Sequence, residues 1–179
     1  MTKATKIADS ADLTRATDWS RRVYGALRDW EAARRGRWST WDSGAFLLTI
    51  DTMADASACE PVTIAADHDR ITFYTRNWET DLPREGQTFD QAITALRDLG
   101  RKWFAGEVAL AAFYLGDVWQ GALAIDPTRL EDEMQLAVKW IGTQTAVDRV
   151  EIQTARREGD QHFGIAVNSK PVIGGHPVQ

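Results

Sequence analysis

Cysteine is almost absent from this sequence, and so are apolar stretches long enough to cross a bilayer. The one cysteine, Cys59, has no partner for an internal disulfide, which is typical of proteins from a reducing compartment. The most apolar segment, residues 108–125, is interrupted by Gly116 and Asp117, as expected for a hairpin rather than a membrane span. The N-terminus lacks the apolar core of a secretory signal. We therefore expect a cytoplasmic protein that does not contact a membrane.

Excess positive charge and the motifs of common catalytic sites are missing as well. The 21 Lys and Arg residues are outnumbered by 26 Asp and Glu, giving a net charge of −5. Nucleic-acid binding is therefore not expected, since it needs a basic surface. No phosphate-binding loop, dinucleotide fingerprint, nucleophile elbow, paired cysteines or HExxH helix is present. The sequence predicts no cofactor and no metal, and it offers no motif that identifies an enzyme.

One short motif, Asp67-His68-Asp69, does place carboxylates on both sides of an imidazole. Adjacent residues at a hairpin tip point in different directions, and a metal site needs further ligands. Both aspartates are also common turn residues, so turn formation explains the motif without a metal.

The hydrophobic pattern predicts an α+β fold in a single domain over residues 1–168, followed by a flexible tail over 169–179. Three segments have helical periodicity: 12–35, 88–106 and 126–142. Seven segments have the pattern of strands: 45–50, 62–66, 71–78, 108–115, 118–125, 150–156 and 162–167. The order is α-β-β-β-α-β-β-α-β-β, and its last six elements suggest a weak repeat of an α-β-β unit. Short turns between neighbouring strands predict a mostly antiparallel sheet.

The second and third helices have clear start signals. Thr88 and Gln91 have the spacing of a capping box. Asp126-Pro127 supplies a cap residue followed by proline at the first helical position. The second helix then shows an apolar stripe of Phe89, Ala92, Ile93, Leu96, Leu99 and Trp103.

Tryptophan is abundant, with eight in the chain. Trp119 shares strand parity with Leu123 and Ile125, which predicts a core position, whereas Trp140 lies beside the stripe of its helix and is expected to be partly exposed. Trp38 and Trp41 connect the first helix to a buried strand. There they could cover the core or, together with Trp78, form the rim of a binding site; covering the core is the favoured interpretation.

The first helix carries arginines at every seventh position, Arg21, Arg28 and Arg35, opposite its apolar face. Such a stripe could dock an acidic partner protein. The simpler interpretation is a solvated face with ion pairs four residues apart, such as Glu31 with Arg35.

A polar cluster follows the third strand. Glu79 and Asp81 are two residues apart, so in an extended chain they would point the same way, as a pair of acid and base groups would. Arg76 and Trp78 would share a face as well, placing a planar cation beside an aromatic ring. An ordinary solvated loop is the competing and favoured interpretation.

Two functional hypotheses follow. The first is a non-catalytic protein-binding module, such as an adaptor or an inhibitor or immunity-like protein, that acts through a sheet face or the arginine stripe. Its expected partner is a protein with an acidic surface, and homodimer formation is left open. The second is an enzyme or small-ligand binder that uses Glu79 and Asp81 beside a tryptophan rim.

Overall fold

A computed structural model describes residues 13–40, 44–50, 61–76, 78–142, 145–155 and 160–164. Cys59, Trp41 and the proposed tail at 169–179 lie outside these residues. The chain divides into two compact units. Unit 1 comprises the described parts of residues 1–56, 61–75 and 79–98, and unit 2 comprises those of residues 57–60, 76–78 and 99–179.

The described residues form three helices and nine strands, which confirms the α+β class and the antiparallel pairing. The helices are α1 (Asp18–Leu27), α2 (Phe89–Ala105) and α3 (Leu130–Gly142). The strands are β1 (Gly36–Thr40), β2 (Phe46–Ile50), β3 (Val62–Asp67), β4 (Arg70–Thr75), β5 (Trp78–Leu82), β6 (Ala109–Leu115), β7 (Val118–Ile125), β8 (Arg149–Gln153) and β9 (Gln161–Gly164). None of the described helices is long and apolar enough to span a membrane.

Unit 1 is built on a five-stranded sheet with the order β1-β2-β3-β4-β5. Alternate residues of β2 are buried, and in β4 Ile71 and Phe73 are fully buried while Tyr74 points outward. Helix α1 is fixed to this sheet by Ser20, whose hydroxyl donates a 2.9 Å hydrogen bond to the carbonyl of Ala66. Strands β3 and β4 are joined by a two-residue turn, His68-Asp69, with His68 in the left-handed region. Two-residue turns with a left-handed residue are favoured in hairpins, because their twist matches that of the strands.

The first helix is much shorter than the predicted 12–35. It begins after the cap residue Thr17, whose side chain accepts from the amide of Ser20, and it ends at Leu27. A short 3₁₀ turn over Ala33–Arg35 follows, and Gly36 caps this turn and starts β1, so it does not end α1. A Cβ at Gly36 would lie 2.8 Å from the carbonyl oxygen of Thr49, so glycine is needed here for the close approach of β1 to β2. Strand pairing overrides local helix propensity.

The strand predicted over 71–78 is also interrupted. Strand β4 ends at Thr75, and Arg76 has a left-handed φ of 45°. A non-glycine residue in this region cannot continue a strand. The chain resumes as β5 at Trp78. The two strands that the sequence did not predict, β1 and β5, both arise from these corrections.

Helix α2 confirms its sequence signals. The amide of Thr88 donates to Oε1 of Gln91 at 2.8 Å, and the amide of Gln91 donates to Oγ1 of Thr88 at 3.3 Å, which is the predicted capping box. Leu96 and Trp103, from the predicted stripe, are buried.

Unit 2 is built on a four-stranded sheet with the order β7-β6-β8-β9. One face of this sheet packs against α3, with Phe113, Val150 and Ile152 meeting Ala137 and Ile141. The element order α2-β6-β7 followed by α3-β8-β9 contains the α-β-β unit twice.

A β-bulge in unit 2 changes the position of Trp119. The register of β6 with β7 shifts between Phe113 and Tyr114, so that Phe113 pairs with Gly121 while Tyr114 pairs with Trp119. Because Gln120 is an extra residue in β7, the side chain of Trp119 points to the opposite face of the sheet from the one that simple alternation would give. Trp119 therefore does not share the core face of Leu123, as the sequence parity predicted, and it is 49% exposed.

Helix α3 is preceded by a 3₁₀ turn over Pro127–Arg129 that is capped by Asp126. The carboxylate of Asp126 accepts hydrogen bonds from the side chain and the backbone amide of Thr128, at 2.7 and 2.9 Å. These bonds, helped by the charge of Arg129, lower the pKa of Asp126 below its usual value.

The burial of Leu96 gives a stability prediction. Leu96→Ala should lower the free energy of unfolding by about 2–5 kcal/mol, because it removes contacts and leaves a cavity in the core. The same change at Leu136, which is 59% exposed on α3, is the matched control and should cost less than about 0.5 kcal/mol. Urea denaturation measures both, and equal costs would contradict the assignment of Leu96 to the core.

The cap at Asp126 gives a pH prediction. A carboxyl with a lowered pKa stabilises the fold at a pH above its unfolded-state pKa, and this stabilisation is lost as the pH falls through the folded-state pKa. The Tm of Asp126→Ala should therefore lie below that of the wild type at pH 7, with a difference that shrinks on acidification below about pH 4. A difference that is constant from pH 7 to pH 3 would contradict the role of the carboxylate charge.

Candidate interaction surface

Glu79 and Asp81 are exposed residues at alternate positions of β5. Asp81 accepts a 2.6 Å hydrogen bond from Thr72 and lies 3.4 Å from the guanidinium of Arg70, both on β4. These contacts are cross-strand pairs of the kind that support a sheet. Glu79 and Asp81 thus lie on the same side of β5, as the spacing predicted, but the carboxylate of Asp81 is engaged by Thr72 and Arg70.

Arg76 and Trp78 flank the break between β4 and β5, so they do not share the face of one strand as predicted. Arg76 turns inward instead. Its side chain is only 10% exposed and makes a 2.6 Å ion pair with Asp160, which also accepts from the backbone amide of Thr154. This arrangement is structural, because it ties the left-handed residue to the loop before β9.

The three arginines at seven-residue spacing do not form one helical face. Arg21 lies in α1, Arg28 follows its last residue, and Arg35 lies in the 3₁₀ turn. Each has an acidic residue nearby in sequence, as expected for a solvated face with ion pairs, and the predicted pair of Glu31 with Arg35 is present. Arg21 pairs with Asp18, Arg28 lies 3.7 Å from Asp29, and Arg35 lies 3.1 Å from Glu31. Much of the local positive charge is therefore matched within the same segment.

Trp38 lies in the core of unit 1 and is 8% exposed. Its ring meets that of Tyr24 edge-on at 4.9 Å and that of Phe46 at 6.1 Å. This position agrees with a tryptophan that covers the core. Trp41, the other half of the proposed rim, lies outside the described residues.

The residues that sequence reasoning missed are on the hairpin of β6 and β7. Leu115, Val118 and Trp119 are 40%, 64% and 49% exposed. Leu115 and Val118 pair across the hairpin end, while Trp119 pairs with Tyr114 on the opposite face. The only signal in the sequence was Gly121, since an isolated glycine within a strand often marks a bulge.

The hairpin end is fixed to the start of β8 by Asp148. The backbone amide of Asp148 donates to the carbonyl of Tyr114 at 2.9 Å, and its carboxylate accepts from the amide of Gly116, also at 2.9 Å. Arg149 follows Asp148 in sequence and lies on the same face of the sheet as Trp119. Its guanidinium lies 4.6 Å from the ring centre of Tyr114. The exposed apolar side chains are thus held on a rigid support.

Helix α3 adds two more exposed apolar residues, Leu136 at 59% and Trp140 at 43%. They are four residues apart and so lie on one side of the helix. The partial exposure expected for Trp140 is confirmed. The end of α3 lies against the bulge, because a Cβ on Gly121 would be 3.6 Å from Cδ1 of Ile141.

A cleft of about 400 Å³ lies at the C-terminal end of β7. Its lining includes Val108, Ala124 and Ile125, with Lys102 and Asp126 at its polar part. Among the described residues, no group of three His, Cys, Asp or Glu side chains is placed to hold a metal ion.

The chain matches no protein-family model, no curated protein and no solved structure.

Two ion pairs near the β4–β5 break, Arg76 with Asp160 and Arg70 with Asp81, should differ sharply in their contribution to stability. Asp160→Ala should cost about 3–5 kcal/mol, because it leaves the largely buried charge of Arg76 without its carboxylate. Asp81→Ala removes an exposed ion pair and an exposed hydrogen bond from Thr72, and should cost about 0–1 kcal/mol. Urea denaturation of both variants provides the test. A large cost for Asp81→Ala with none for Asp160→Ala would reverse the two roles.

Proposed function

We propose that this chain is a non-catalytic protein-binding module whose docking surface is in unit 2, at the end of the β6–β7 hairpin. The observation that carries the proposal is the exposure of Leu115, Val118 and Trp119 at the end of a hairpin that Asp148 fixes to β8. Large exposed apolar side chains grouped at one end of a hairpin are typical of interaction sites. Tryptophan is also enriched among the residues that dominate binding energy.

The geometry of the other candidates supports them less well. Each arginine of the predicted stripe has a carboxylate nearby in the same segment, so a net positive surface for an acidic partner is weakened. Asp81 is bonded to Thr72 and lies near Arg70, which leaves Glu79 without a second carboxylate free for acid–base chemistry. An adaptor or an inhibitor of another protein, acting in the cytoplasm, fits a chain with a single cysteine and with exposed apolar anchors.

Trp119→Ala should remove binding of the partner without changing the fold. A central tryptophan anchor contributes about 2 kcal/mol or more to binding, which is about a thirtyfold change in Kd. The experiment compares the proteins captured from the native host by the wild type, by Trp119→Ala and by Tyr74→Ala. Tyr74 is the matched control, because it is an aromatic residue of β4 with 37% exposure in unit 1.

The expected result is a protein that binds the wild type and Tyr74→Ala and is lost with Trp119→Ala, followed by titration of the purified pair. Thermal melting establishes that all three proteins are folded. An equal Kd for the wild type and Trp119→Ala would contradict the proposed surface.

A further inference from the structure

We infer that the partner receives the end of the β6–β7 hairpin in an apolar groove, and that basic side chains line this groove where it meets the turn at Gly116 and Asp117. The inference rests on the proposed function and specifies the shape and the chemistry of the partner's surface. Two properties of the hairpin end carry it. Apolar side chains are exposed on both of its faces, and its turn carries carboxylates without ion pairs in the described part of the chain.

The hairpin end is apolar on both faces of the sheet. Leu115 and Val118 pair with each other on the face of Phe113, whereas Trp119 lies on the opposite face with Tyr114. Leu115, Val118 and Trp119 are each at least 40% exposed. A flat partner surface would cover only one of the two faces. A partner that removes both from water, which is the main favourable term in association, must extend along both sides of the hairpin as the walls of a groove do.

The hairpin end projects from the sheet and is held in shape. Strand β8 begins opposite Tyr114, so residues 115–118 extend beyond it. The turn has only two residues, and Gly116 adopts a left-handed φ of 58° that permits this tight turn. The bonds of Asp148 to Tyr114 and Gly116 hold the projecting residues in place. The end can therefore enter a groove without rearrangement.

The turn of the hairpin carries two carboxylates. Asp117 is its second residue, and the carboxylate of Asp148 lies 2.9 Å from the amide of Gly116, its first residue. Among the described residues, no Lys, Arg or His side chain forms an ion pair with either aspartate. Both negative charges are therefore unmatched within the part of the chain that the structure describes.

Arg149 follows Asp148 in sequence, but its charge is matched by another carboxylate. Its guanidinium lies over the ring of Tyr114, and its Nε lies 3.6 Å from Oε1 of Glu151. Only 19% of the Glu151 side chain is exposed, so this pair is weakly screened. The imidazole of His162 lies 3.5 Å from the same carboxylate, on the strand farthest from the hairpin. Arg149 therefore does not neutralise the turn.

The other Lys and Arg residues described in unit 2 do not offset the two aspartates either. Lys139 of α3 is two positions before the buried Ile141, so it lies on the side of the helix away from the sheet. Lys102 and Arg129 are at the opposite end of β7 from the turn. The remaining two, Arg76 and Arg101, form ion pairs with Asp160 and Glu107. The turn is thus the acidic end of an apolar projection.

Charge complementarity then defines the partner. In a groove that was apolar throughout, the carboxylate of Asp117 would lose its water without gaining a partner, which is strongly unfavourable. Lysine or arginine side chains at the closed end of the groove would pair with Asp117 and Asp148 and favour encounter. A bilayer is a poorer occupant, because the turn would carry Asp117 toward the hydrocarbon ahead of Val118 and Trp119.

The charge preference is tested with two amphipathic peptides that carry the same leucines at helical spacing, flanked in one by lysines and in the other by glutamates. Each peptide is titrated into the ¹⁵N-labelled full chain. The lysine peptide should shift the amide signals of residues 115–119. It should also bind about fivefold or more tighter than the glutamate peptide at low salt, with the preference falling as salt rises.

Asp117→Asn should reduce this preference to about twofold, because it removes one of the two charges at the turn. Asp69→Asn is the matched control, since Asp69 is likewise the second residue of a two-residue hairpin turn and lies in unit 1. It should leave the preference at the wild-type value.

The groove is tested with the protein that the wild type captures, after its purification. Val118→Ala and Trp119→Ala change opposite faces of the hairpin. Each should raise the Kd about tenfold or more, because each face loses apolar surface that the groove buries. Leu136→Ala, at an exposed leucine of α3, is the control and should leave the Kd unchanged. Thermal melting establishes that all three variants are folded.

Four results would overturn the inference. The first is equal binding of the two peptides, or shifts confined to residues outside 115–119. The second is an unchanged Kd for Val118→Ala, which indicates a partner that covers one face only. The third is binding to vesicles of neutral phosphatidylcholine that Trp119→Ala abolishes, and the fourth is a concentration-dependent dimer that the same variant dissociates.

These outcomes separate the inference from the proposed function. If Trp119→Ala loses the captured protein while the peptides bind equally or Val118→Ala has no effect, the proposed function stands and the basic groove is wrong. If the wild type captures no protein, the proposed function fails and the inference fails with it.

Discussion

The burial of strand β6 on both of its faces fixes how the other strands of unit 2 pair with it. Ala109, Ala111 and Phe113 are fully buried on the face that meets α3, and Leu110 and Ala112 are fully buried on the other. Because β6 is buried on both faces, neither β7 nor β8 can shift by one residue along it without moving its side chains to the wrong face. The small alanines of β6 also allow close packing on both sides.

The β-bulge in β7 allows Trp119 to be exposed while the rest of the strand keeps its register with β6. From Gly121 onward, β7 follows β6 and directs Leu123 and Ile125 to the core face. The extra residue, Gln120, then places Trp119 on the other face without disturbing the rest of the strand. Bulges are common beside functional sites, where they redirect a side chain. In this protein the bulge separates the part of β7 that completes the core from the part that carries the exposed Trp119.

Local signals in the sequence were sufficient for parts of the fold. The capping box of Thr88 and Gln91 and the cap of Asp126 involve residues only two or three positions apart, so their geometry could be predicted. Gly116, in the left-handed region, likewise marked the hairpin of β6 and β7.

The end of α1, the break at Arg76 and the bulge at Gln120 could not be predicted in the same way, because each depends on distant partners. Gly36 lies against β2, and Arg76 pairs with Asp160 across 84 positions of sequence. The exposed hairpin end was not predicted for the same reason. Alternation along β7 places Trp119 on the core face with Leu123, and only the extra residue Gln120 moves it to the other face.

The double attachment of Asp148 to the hairpin has a consequence for the affinity of the proposed interaction. Its backbone amide bonds to Tyr114 and its carboxylate to Gly116, so the hairpin end needs no ordering when a partner arrives. Loss of conformational freedom opposes association and is smallest for a pre-organised surface. The entropy lost on binding then comes mainly from the partner. If a partner docks there as proposed, a flexible segment would lose more entropy and bind more weakly than one already held in shape by its own protein.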